Sequence, residues 1–238
     1  SWTVALHYQM LSLMSAGLAA AGRAPEAARL AEQAARVASD FRRFLLVDEI
    51  VPGYLHARAD GGHDFLLHPR DQVTGLRYSL LPIPHAVLTG LLSPSQMARH
   101  FELVDRHLRG PDGARLFDKP MAYHGGTMRL FQRAESAAFF GREIGLMYTH
   151  AHLRYAEALA HAGRGEEFFQ ALQLVNPIGI EARVPGASPR PSNCYYSSSD
   201  AAFADRYAAQ DRYDDVFHRK VGFDGGWRVY SSGPGLAI

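Results

Sequence analysis

SWTVALHYQMLSLMSAGLAAAGRAPEAARLAEQAARVASDFRRFLL, residues 1–46, sets the class of fold. Leu6, Met10, Leu13, Met14 and Leu18 recur three and four apart, the spacing of one helix face, and Gly22 breaks the run. Pro25 suits the first turn of a second helix. Its broad apolar face carries Ala27, Leu30, Ala31, Ala34, Val37, Ala38, Phe41, Phe44 and Leu45. Two such stripes around a glycine turn predict a helical hairpin in which small alanines permit close packing. The apolar start, residues 4–21, is interrupted by His7, Tyr8, Gln9, Ser12 and Ser15 and lacks a basic leader, so it reads as a helix of a soluble fold rather than a signal peptide or membrane span.

With 238 residues the chain is long enough for one large domain and a sizeable core. Lys+Arg 25 against Asp+Glu 24 leaves a net charge of +1, so no electrostatic argument points to nucleic acid or an anionic membrane. The single cysteine, Cys194, excludes an internal disulfide framework and a Cys-rich zinc site, and fits a reducing compartment, with cytoplasm as the expected location.

Beyond the hairpin, residues 48–77 lose periodicity and gather Gly, Pro, Asp and His, which predicts a long irregular excursion with one short strand. A short helix follows over residues 79–91. Ser93, Pro94 and Gln96 then occupy the N-cap, first and third positions of a helix carrying Met97, Phe101, Val104 and Leu108, closed by Gly110. Residues 111–129 are loop-like. Helical spacing returns over 130–140, again from Ile144 through Ala162, and over 166–174, where Asn176 and Pro177 stop it. Residues 201–213 read as helix, and 216–230 as strand-like around a Gly-Gly turn. The sum is about seven helices with long Gly/Pro/His-rich loops, a mainly α chain, and no tetratricopeptide-like period recurs.

Twelve histidines invite a metal reading, but His150 and His152 lie two apart in a helix and so point to different faces, and no H-E-x-x-H cluster occurs. No metal and no cofactor are expected. Walker, dinucleotide and G-x-S-x-G motifs are also missing from the sequence. Three polar features stand out instead: GLMYTHAH (145–152), NCYYSSSDAAF (193–203) and GGWRVYSSGPG (225–235). The second, after Pro185, Gly186, Pro189 and Pro191, reads as a loop before a helix, and such an entrance either caps itself or seats an anion. Asp200 reads as a cap rather than an acid. Tyr123 and His124, beside two glycines, fit a buried turn on their residues alone, and Tyr195 and Tyr196 fit plain packing.

Together with FGREIGLMYTHAHLRYAEAL (140–159), FFQALQLVNPIGI (168–180), LLHPRDQVTGLRYSLLP (66–82) and GPDGARLFDKPMAYHGG (110–126), these features resemble the phosphorylases of glycoside hydrolase family 94, in the branch acting on β-1,2-glucans. The resemblance implies an (α/α)6 barrel, here incomplete, with long functional loops and short β segments. It implies inverting phosphorolysis of β-1,2-glucooligosaccharides to α-glucose 1-phosphate, with inorganic phosphate as co-substrate, no nucleic-acid or membrane partner, and room for a homo-oligomer. By motif the phosphate-binding positions are His150, as a cation, Ser198 (or Ser197 or Ser199), Ser232 and Gly233. The substrate-binding positions are Tyr123, His124, Tyr195 and Tyr196. Where cellobiose phosphorylases place a glutamine, this chain has serines. The family's general acid is an aspartate in a Trp-Asn-Asp context, which this sequence does not contain. Residues 1–238 are therefore expected to be the C-terminal portion of a single catalytic domain, truncated at both ends, inactive alone, with the acid encoded upstream of Ser1. A phosphorylase or hydrolase of another linkage and a non-catalytic glucan-binding domain are the alternatives.

Overall fold

A computed structural model describes residues 1–121, 147–190 and 196–226. Helices α1 (Trp2–Ala20) and α2 (Ala24–Phe44) form the expected hairpin. Their interface buries Ala5, Leu11, Ala27, Ala34, Ala38 and Phe41, whereas Met10, Leu13 and Met14 of α1 stay exposed. The region after the hairpin holds two strands where the sequence suggests one: β1 (Tyr54–Ala57) pairs antiparallel with β2 (His63–Leu66), Tyr54 opposite Leu66. Their alternation is masked because β1 is exposed on both faces.

Helix α3 (Pro82–Leu88) is buried on most sides, and α4 (Pro94–His107) starts at the predicted capping box. The Gln96 amide N–H donates to Ser93 Oγ while the Ser93 N–H donates to the Gln96 side chain, so two orphan donors of the first turn are satisfied. We predict that Ser93→Ala lowers stability by about 1 kcal/mol. The check is the urea midpoint at unchanged slope.

After α4, β3 (Arg109–Gly110) and β4 (Gly113–Ala114) make a tight hairpin. Gly113 has φ +127, and an added Cβ would lie 2.9 Å from Met147 Cγ and 3.0 Å from the His152 ring, so only glycine permits this approach. The stretch read as one helix from Ile144 is different in its described part: β5 (Met147–Tyr148) precedes α5 (Thr149–His161). Helix α6 (Gly165–Val175) ends at Asn176 as expected, followed by a single turn, α7 (Ile180–Arg183). The helix read over 201–213 is corrected to β6 (Ser198–Ala201), α8 (Arg206–Arg212) and a 3-10 turn (Tyr213–Val216), and the strand-like region after it contributes β7 (Phe223–Gly226).

Packing places α3 against both α1 and α5, and α5 against α6, so these helices follow one another across the main core. That core includes Phe41, Leu80, Val87, Phe101, Val104, Tyr155 and Leu159. A second, smaller core gathers Ile180, Val184, Tyr213, Val216 and Phe223 beneath the last strands. The architecture is mainly α, with few short strands. Among the described residues no helix is long and apolar enough to cross a membrane.

Candidate functional site

Strands β5, β6 and β7 form one antiparallel sheet in that order. Met147 faces Ser199 and Tyr148 faces Ser198 across β5–β6, while Ser198, Ser199 and Asp200 face Gly226, Gly225 and Asp224 across β6–β7. The sheet thus juxtaposes described parts of the three polar features: the end of GLMY, the serine run and the Gly-Gly pair. Two further bonds lock the first two together. Thr149, the first residue of α5, donates its amide to Ser197 O at 3.0 Å and its hydroxyl to Tyr196 O at 2.7 Å.

This arrangement corrects, for Ser198 to Ala201, the reading of the serine run as a loop before a helix. Serine has little strand preference, but pairing with β7 along Ser198 to Ala201, and with β5 at Ser198 and Ser199, holds the run extended. Asp200 is consequently a strand residue. The cap is Asp205, which accepts from the amides of Tyr207 and Ala208 at 2.9 Å each.

His150 is the second residue of α5, two positions past the residue that pairs with Ser198. It is half-buried, and its ring stacks on Tyr148 with centroids 5.9 Å apart. Burial, aided by Arg154, pushes its pKa below the ordinary histidine value, so it is neutral at pH 7 rather than the expected cation. Ser197, Ser198 and Ser199 are all buried, Ser198 with 1% and Ser199 with 0% exposure. Arg190 Nη2 donates to Ser199 Oγ at 3.3 Å, and its guanidinium lies 5.4 Å from the Tyr196 ring centre. Tyr123, His124, Tyr195, Ser232 and Gly233 lie outside the described residues.

His152 differs from His150, as its opposite direction on the helix requires. It is buried, accepts the Ala114 N–H through Nδ1 at 3.0 Å and donates from Nε2 to Ala171 O at 2.9 Å. It joins the β3–β4 hairpin to α6 and is not available to a ligand.

Beneath the sheet lies a charged cluster that the sequence does not announce. Arg115, fully buried, donates from Nη2 to both oxygens of buried Asp112 at 2.8 Å. Its guanidinium sits 5.8 Å from the ring centres of both Tyr213 and Phe223. Burial works against its charge, but Asp112 and Tyr213 outweigh it and raise its pKa. Burial also pushes the Tyr213 phenol up to about 12 and the Asp200 carboxyl up to about 6. In the sequence Pro-Asp-Gly-Ala-Arg reads as a surface turn, because a turn composition carries no information about what packs over it.

The start of α5 thus brings the positive end of a helix dipole and His150 next to a hydroxyl-rich strand. Among profiles of known protein families, none matches the chain. Compared with curated proteins, the chain is 43% identical over 239 aligned positions to a 1,2-beta-oligoglucan phosphorylase of Listeria innocua serovar 6a. The match takes in the whole of this chain and 21% of the relative, so the chain spans about one fifth of that protein's length. At that identity from end to end, the chain is homologous to one segment of the 1,2-beta-oligoglucan phosphorylase.

Proposed function

We propose that this segment forms the phosphate-holding side of an inverting β-glucan phosphorylase, which converts a β-1,2-linked glucooligosaccharide and inorganic phosphate into α-glucose 1-phosphate and a shortened chain. The observation that carries the reading is the β5–β6–β7 sheet, which sets the start of α5, with His150, next to Ser198. The relative's activity supports it.

Phosphate is already an anionic nucleophile, so no general base is needed to activate it. What it needs is to be fixed in line with the anomeric carbon, at a distance that makes attack effectively unimolecular. The start of α5 and the Ser198 hydroxyl supply hydrogen bonds, and His150 adds a donor whose pKa rises when an anion approaches. A single carboxylic acid then protonates the leaving glycosidic oxygen, as in an inverting glycosidase whose base is replaced by phosphate. With no Trp-Asn-Asp in these 238 residues, that acid comes from outside the segment.

The test is incubation of the polypeptide carrying this segment with β-1,2-glucooligosaccharides, with and without inorganic phosphate. α-Glucose 1-phosphate is expected only when phosphate is present. His150→Ala should raise KM for phosphate about tenfold or more, the effect of losing one hydrogen bond to a charged group. Glucose released equally without phosphate would refute phosphorolysis.

A further inference from the structure

Three polar atoms around β6 have no hydrogen-bond partner among the described residues: Ser198 Oγ, Asp200 Oδ1 and Arg190 Nε. Ser198 and Asp200 are two apart in a strand, so their side chains share one face. Ser198 is 1% exposed. Its hydroxyl lies near enough to the Asp200 carboxyl to favour the charged form, yet it falls short of hydrogen-bond geometry. An unsatisfied buried hydroxyl beside an unsatisfied carboxyl oxygen is a costly arrangement. It makes sense where the hydroxyl has a second task.

The groups around Asp200 come from every neighbouring element. Asp224 faces it from β7, its carboxyl occupied by the Ser188 hydroxyl. Arg115 and Asp112 reach it from the β3–β4 hairpin, and Arg190 from the segment leading to β6. On the other side Tyr148 pairs with Ser198, and α5, with His150, begins directly after it.

We propose that Asp200 is a positioning residue whose protonation state aims the Ser198 hydroxyl. Ionised, the carboxylate draws the single Ser198 hydrogen to itself. Protonated, it donates to Ser198 Oγ and leaves that hydrogen for an oxyanion seated at the start of α5. The inference rests on the phosphate reading above and adds the group that controls one of its donors. A serine has one hydrogen, and both a carboxylate and an oxyanion can only accept it, so the two compete. Protonation of Asp200 removes the competitor and supplies a proton-donating partner to Ser198 in one step. Burial places this change near neutrality, where the Asp200 carboxyl is lifted to about 6. Anion binding therefore strengthens as pH falls through that value.

The probe is sulfate, whose charge is constant across the range, titrated calorimetrically into the chain at about pH 7.5 and about pH 5. Four proteins are compared: unsubstituted, Asp200→Asn, Ser198→Ala and the double variant. At the higher pH Asp200→Asn should bind sulfate about tenfold tighter than the unsubstituted chain, one charge-assisted hydrogen bond gained. In the Ser198→Ala background that gain should vanish. Any contribution from His150 is present in all four and cancels. An equal gain in both backgrounds would mean simple loss of a repelling charge and would overturn the inference alone. Absence of sulfate binding by the unsubstituted chain at both pH values would overturn the phosphate reading and this inference with it. Should Asp200→Asn unfold, the Asp200 carboxyl is followed by carbon NMR in the unsubstituted chain and in Ser198→Ala. Saturating sulfate should raise its pKa by about one unit more when Ser198 is present, by reciprocity of linkage. Equal shifts in the two would overturn the proposal.

Discussion

Replacing Arg115 by methionine is expected to remove about 3–5 kcal/mol of folding stability, a large part of the ~5–15 kcal/mol typical of a domain. The reason is the partner left behind. Asp112 is 1% exposed, and both of its oxygens accept from the same Arg115 nitrogen at 2.8 Å. Without the guanidinium, the carboxylate either stays buried and unpaired or takes up a proton, and both raise the energy of the folded state. The loss also empties the space against Tyr213 and Phe223, which joins the second core to the β3–β4 hairpin. The pair itself is a different matter, because desolvating two charges offsets most of their attraction. Arg115→Met combined with Asp112→Leu should therefore recover more than half of the single-variant loss. Urea unfolding of four proteins, the unsubstituted chain, Arg115→Met, Asp112→Leu and the double variant, decides it. If the double variant is as unstable as the summed singles, the unpaired carboxylate is not the cause.

The second large effect is acid sensitivity above the usual carboxylate range. His68, His100 and His152 are all buried, and each holds the chain together by using both ring nitrogens. His68 accepts the Arg70 N–H and donates to Val47 O, each at 3.1 Å. His100 accepts the Val51 N–H at 3.1 Å and donates to Gln96 O at 2.7 Å. His152 ties Ala114 to Ala171 in the same way. Such a ring must be neutral, because a protonated one would turn an N–H toward an N–H. Burial accordingly pushes all three pKa values below the ordinary 6.5.

The sign follows from linkage. With folded pKa values below the unfolded one, the unfolded chain binds more protons between the two, so the stabilisation is complete above about pH 6.5 and is lost as pH falls beneath it. Each unit of difference is worth about 1.4 kcal/mol, and the three rings act in the same direction. Asp118 and Asp200, whose pKa values burial raises, act in the opposite sense and offset a part. The chain should thus melt at a distinctly lower temperature at about pH 5 than at about pH 7. His100→Gln, whose amide oxygen can accept the Val51 N–H without titrating, should be less stable at neutral pH but flatten the slope. A melting temperature unchanged over that interval would contradict the neutral-histidine account.

These residues also show how much of the molecule could be read from its sequence. The α1–α2 hairpin and the capping box at Ser93 and Gln96 are local: side chains three or four apart meet because the helix itself brings them together. The same holds for the end of α6 at Asn176. The twelve histidines show the opposite. Nothing in their spacing separates His150, half-buried at a helix start, from His152, sealed between a hairpin and a helix two residues later, except that the two must point apart.

The sheet is the hardest case. Met147 meets Ser199 across some fifty residues of chain, and Asp200 meets Asp224 across a turn and a short helix. A run of serines has neither the branched side chains nor the alternation that mark a strand, so it reads as a loop until its neighbours are in place.

By itself, then, the order of residues determined the α1–α2 hairpin, the capping box at Ser93, the end of α6 and the kinship with a phosphorylase segment. Only the tertiary structure decided that the serine run is a strand, that Arg115 and Asp112 are buried beneath it, and that Asp200 stands beside Ser198 instead of capping a helix. The division has one physical cause. Helical order is set by contacts a few residues apart, whereas strand pairing, burial and the pKa values that follow from it depend on partners distant in the chain, which no local pattern specifies.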